Sequence, residues 1–80
     1  MDIFEMTVVH RHTMDKKHFI FCDYGSARRY AHEIAPYKSL LAGYTIRRMR
    51  LDKESGSFKY AGVMYHIRYV DLTSTDNVSN

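Results

Sequence analysis

Eighty residues and 9.5 kDa suffice for one domain only, because so short a chain buries just roughly 60–65% of the surface it exposes when unfolded; a two-domain enzyme is excluded. Hydrophobic residues make up 45% and charged residues 26%, with one proline and four glycines, which excludes a collagenous or low-complexity chain. Twelve Lys/Arg against nine Asp/Glu give +3, no apolar run approaches the roughly 20 residues of a membrane span, the N-terminus lacks the pattern of a signal peptide, and one cysteine cannot close an intrachain disulfide. The expectation is a soluble, cytoplasmic protein with no membrane contact.

Residues 3–12 alternate Phe4, Met6 and Val8 with Glu5 and Thr7, the period-two pattern of a half-buried strand. A polar turn at residues 13–16 and a second apolar run at residues 18–22 make a β-hairpin. Pairing His12 with Lys17 puts His10 opposite Phe19 and Val8 opposite Phe21, so that the strongest apolar positions share a face; a register one residue longer brings His12 opposite His18 instead. Cys22, inside the apolar run, reads as a small buried hydrophobe. Asp23 or Ser26 then caps a helix in which Ala27, Tyr30, Ala31 and Ile34 recur at i, i+3, i+4 and i+7. Arg28, Arg29, His32 and Glu33 are left for solvent. Pro36 breaks or kinks the helix, and residues 37–42 form a short second turn ended by Gly43.

The second half is another hairpin: a strand at residues 44–52, a turn at 53–57 and a long strand at 58–72, bulged or bent at Gly62. Residues 1–72 therefore read as a single ββαββ domain of the α+β class, an antiparallel sheet with one amphipathic helix on one face. Residues 73–80 read as a disordered polar tail.

A type I turn closed by a glycine bulge at Gly56 pairs Lys53 with Ser57. That register places Arg50 opposite Tyr60, Arg48 opposite Gly62 and Tyr44 opposite His66. One face then carries Tyr44, Arg48, Arg50, Phe58, Tyr60, His66 and Arg68; the other carries Met49, Leu51, Ala61, Val63, Tyr65, Ile67 and Tyr69 and seats the helix. Between residues 47 and 68 six Lys/Arg face only two Asp/Glu. Arginines interleaved with rings suit phosphates and stacked bases, and equally the anchors of a protein interface. The plain alternative is a solvated face on which Arg50 and Tyr60 form a cross-strand cation–π pair.

His10 and His12 share one side of a strand at a spacing that metal sites use, with His18 near in one register, but a structural zinc needs four ligands. No nucleophile with a base and an orienting third group can be assembled, and no glycine-rich phosphate loop precedes the helix. No cofactor and no metal is expected. Size, solitary domain and absence of catalytic residues agree with the short accessory proteins that phages and mobile elements direct against host or defence systems. The expectation is a non-enzymatic interaction protein that occupies a surface on nucleic-acid-handling machinery, its partner a protein or a nucleoprotein complex. The alternative is direct binding of nucleic acid, or sequestration of a nucleotide, through the Arg/Tyr face; pairing with a second copy of the chain is compatible with either.

Overall fold

The computed structural model describes residues 1–70; the tail expected at residues 73–80 lies outside them. The elements are β1 (Asp2–His10), β2 (Lys16–Phe21), α1 (Tyr24–Ile34), a 3-10 segment (Ala35–Leu40), β3 (Leu41–Asp52) and β4 (Ser57–Arg68). The strands form one antiparallel sheet in the order β2-β1-β3-β4, so the architecture is α+β with ββαββ order. No helix among the described residues is long and apolar enough to cross a membrane.

β1 pairs with both β2 and β3, which explains its composition. Phe4, Met6 and Val8 point to the helix side, where Met6 is fully buried and Val8 nearly so. Val8 faces Lys17, Met6 faces Phe19 and Phe4 faces Phe21. This register is four residues from the one that pairs His12 with Lys17. An even displacement keeps every side chain on its face, so the apolar alignment survives while His12 moves into the turn. That turn closes through His10 N–H to the Asp15 carbonyl at 2.8 Å and Met14 N–H to the His10 carbonyl at 3.0 Å. Arg11 ties it to the 3-10 segment, donating from Nη2 to the Lys38 carbonyl at 3.1 Å and from Nε to the Leu41 carbonyl at 3.3 Å.

Asp23 caps α1: its carboxylate accepts from Ser26 N–H at 2.7 Å and from Ser26 Oγ at 3.1 Å. The chain turns into this cap directly after β2, so Cys22 is exposed rather than buried. Ala27 and Ala31 are buried against the sheet with Tyr30 and Ile34 beside them. The two methyl side chains let the helix backbone approach the strands, and the Tyr30 ring packs on Phe19 at 4.7 Å between centroids. Arg28 is not turned to solvent: its guanidinium carbon lies 4.0 Å from the Tyr65 ring centroid, and Nη1 donates to the Tyr24 hydroxyl at 3.2 Å. This is a cation–π contact on the packed side of the sheet. Pro36 stands at the start of the 3-10 segment, a first-turn position where its missing N–H is tolerated.

Gly43 does not end this segment; it lies within β3, beside β4. A Cβ there would overlap the Ile67 carbonyl oxygen. In the distal hairpin Asp52, not Lys53, pairs with Ser57. Gly56 takes φ 73° and its N–H bonds the Asp52 carbonyl at 2.8 Å, the left-handed conformation glycine adopts without steric cost. Two register shifts follow, between Ile46 and Arg47 and between Arg48 and Met49. They leave Met64 and Ala61 as extra residues on β4, and Gly62 between them has φ 126°, so the expected bulge is present.

Candidate functional site

The helix covers one side of the sheet; the other is bare. Residues directly paired across strands share a face, so the register lays out the bare face in rows from β2 through β1 and β3 to β4. Lys16, Val9, Gly43 and Arg68 form the first row, His18, Thr7, Thr45 and His66 the second, and Ile20, Glu5, Arg47 and Val63 the third. Below these come Ile3, Met49 and Tyr60, then Leu51 and Phe58. The face is graded, with cations and imidazoles at one end and apolar side chains at the other. Ile20 and Tyr60 are each 60% exposed, Val63 53% and Phe58 37%, so apolar area lies open from the third row to the far end of the face.

The second row is joined by hydrogen bonds. Thr7 Oγ1 and His18 Nδ1 are 3.0 Å apart, and Thr45 Oγ1 and His66 Nδ1 2.8 Å apart. Arg47 Nη2 reaches Thr7 Oγ1 at 3.4 Å, while Glu5 lies 3.7 Å from Arg47 Nε and 3.9 Å from His18 Nδ1. Short threonines on the two central strands with longer basic side chains beside them leave a hollow of about 320 Å³ around Gly43.

The expected partner-binding set is divided by the sheet. Phe58, Tyr60, His66 and Arg68 are on the bare face; Tyr44, Arg48 and Arg50 are on the opposite side. Tyr44 is buried, stacked with Tyr65 at 5.9 Å and 24°, and burial pushes its phenol above the ordinary value. Arg50 pairs with Lys59, and Met49 with Tyr60, so there is no Arg50–Tyr60 pair. The apolar set assigned to the helix is divided likewise: Tyr65 and Ile67 pack under it, whereas Met49, Leu51 and Val63 join the bare face. One residue of displacement at the distal turn exchanges the two faces, and the β4 bulges restore the expected side for Tyr65 and Ile67.

Much of the local positive charge is paired. Asp2 lies 3.2 Å from Arg50 Nε and 3.7 Å from Arg48 Nε, and Asp52 3.4 Å from Lys59 Nζ. The hydrogen bond from Arg50 holds the Asp2 carboxyl below its ordinary 3.8; bonds from the Ser55 hydroxyl and the Glu54 N–H do the same for Asp52. A carboxyl lowered in the folded state adds stability above its unfolded pKa and loses it as pH falls through the folded value. Thermal midpoints should therefore fall as pH drops below about 4, and Asp2→Asn and Asp52→Asn should each flatten that fall; an unchanged slope in both variants would refute the assignment.

His10 and His12 remain neighbours, with ring centroids 6.1 Å apart, but His18 is held by Thr7 on the bare face. No group of three metal-ligating side chains occurs among the described residues. On the covered side an apolar cleft of about 380 Å³, lined by Val8, Phe19, Tyr30, Ile34, Tyr37 and Leu41 among others, continues the core.

Sequence reasoning missed Thr7, Thr45, Arg47 and His18 as parts of one surface. The alternation around Phe4, Met6 and Val8 already sets Thr7 on the other side; what it lacks is the strand order that makes β1 and β3 neighbours. Comparison with protein-family models, curated proteins and solved structures gives no match.

Proposed function

We propose that the chain is a non-enzymatic interaction protein, acting in the cytoplasm, that occupies the surface of a partner protein with the bare face of its sheet. The observation that carries this reading is the exposure of Tyr60, Phe58, Val63 and Ile20 on one uncovered face. Aromatic side chains of this kind supply much of the energy at protein interfaces. A component of nucleic-acid-handling machinery, including a nucleoprotein complex, suits a face that is apolar at one end and cationic at the other. Direct tracking of a nucleic-acid strand is less well supported, because Arg48, Arg50 and Lys59 are spent on carboxylates and lie on the other side.

The test is capture from source-cell lysate with and without nuclease, followed by affinity measurement on the partner so identified. Phe58→Ala/Tyr60→Ala should weaken binding about tenfold or more, with Arg29→Ala, on the exposed helix side, unchanged. Equal affinity of the double variant, or tight salt-sensitive binding to oligonucleotides without a nuclease-resistant protein partner, would overturn the proposal.

A further inference from the structure

Positive charge on the bare face is concentrated around the hollow at Gly43, not spread along the strands. Lys16 and Arg68 lie in the same row as Gly43, at about 10 Å and about 5 Å by strand spacing. Arg47 and His66 line the hollow from the rows below, with the hydroxyls of Thr7 and Thr45. Lys16, Arg47 and Arg68 thus line one hollow, and Glu5 lies a row away beside Arg47 and His18. Lys16 has no ion pair among the described residues. A guanidinium has five N–H donors; Arg47 directs Nη2 at Thr7 and its Nε faces the Glu5 carboxylate at 3.7 Å, which leaves its remaining Nη N–H groups for a ligand. His66 has its Nδ1 engaged by Thr45, which leaves Nε2 as the ring nitrogen open to a ligand, a donor in the tautomer whose Nδ1 accepts from the Thr45 hydroxyl.

From this arrangement we infer that the hollow binds one phosphate-type oxyanion, free or carried on a partner as a phosphomonoester. The inference rests on the bare face being the working surface, but its test does not need the partner. Donors gathered around one hollow suit a compact dianion, with charge-assisted bonds from Lys16 and Arg47. A nucleic-acid backbone presents its phosphates in line and requires cations in line. Here the rows beyond Arg47 turn to Met49, Tyr60, Leu51 and Phe58, so the site ends after one phosphate.

The experiment is a titration of the isotope-labelled full chain with inorganic phosphate at constant ionic strength, read by amide and imidazole shifts. Saturable changes should centre on Lys16, Gly43, Thr45, Arg47 and His66, with a millimolar dissociation constant. Lys16→Gln, an exposed change that spares the fold, should weaken binding about two- to fivefold, the value of one solvent-exposed ion pair. Arg47→Gln should do likewise, and Arg29→Gln should not. O-phosphoserine gives the second arm: affinity equal to phosphate supports recognition of the bare oxyanion, and tighter binding supports a phosphate carried on a partner. Linear shifts without saturation, shifts spread to Arg29 and Lys53, or no effect of Lys16→Gln and Arg47→Gln would overturn the site. So would a thymidine oligonucleotide that binds far more tightly than phosphate with shifts running on through Met49 and Tyr60. Loss of partner binding in Phe58→Ala/Tyr60→Ala tests the other reading and leaves this result untouched.

Discussion

Ile46→Ala is expected to destabilise the protein by about 2–5 kcal/mol, the cost of a truncated core aliphatic together with the cavity it leaves. Ile46 lies in β3 between Met6 and Tyr65 and has no exposed surface. Among the described residues only Met6 of the large side chains is as deeply enclosed, and truncation leaves a cavity in the packed centre of the sheet. A small domain has about 5–15 kcal/mol in total, and the variant should have a markedly lower urea midpoint at an unchanged slope. Ile46→Val should cost about 0.5–1.5 kcal/mol. A loss below about 1 kcal/mol for the alanine variant would contradict the placement of the core.

Gly43→Ala is expected to cost about 3 kcal/mol, the upper part of the usual overpacking range. At a position with space, glycine to alanine stabilises by about 0.4–1 kcal/mol through the unfolded chain, so even the sign is informative. Here the new methyl meets the Ile67 carbonyl oxygen, a backbone atom held by the β3–β4 ladder, and Tyr69 N–H bonds the neighbouring Ala42 carbonyl at 2.8 Å. The ladder must open for the methyl to fit. Thermal unfolding of the variant should show the loss, and a midpoint at or above that of the parent would contradict the close approach.

Local chemistry carried the elements; non-local pairing decided the surface. The cap at Asp23, the helix face of Ala27, Tyr30, Ala31 and Ile34, the left-handed Gly56 and the bend at Gly62 each follow from a few neighbouring residues. Gly43 was misread because a glycine after a helical turn resembles a terminator, and its actual role depends on a strand 24 positions away. The division of Tyr44, Arg48 and Arg50 from Phe58, Tyr60, His66 and Arg68 has the same origin. Strand periodicity is two, so moving the closing pair from Lys53–Ser57 to Asp52–Ser57 inverts the relation of the two strands. Nothing within the turn residues discriminates between those closures; the Asp52 side chain, accepting from Glu54 N–H and Ser55 Oγ, supports the one that occurs.

The two shifts of register along β4 also bear on the edge of the sheet. β4 has twelve residues and stands at the margin of the sheet, where an uninterrupted run of unpaired N–H and carbonyl groups would template another chain. Extra residues at Ala61 and Met64, with Gly62 between them at a backbone angle other residues avoid, put that run out of step at its middle. A second β4 laid alongside would find matching hydrogen-bond partners for only a few residues before the spacing failed. The irregularity that sets Val63 on the bare face thus also makes this margin a poor template for a further strand.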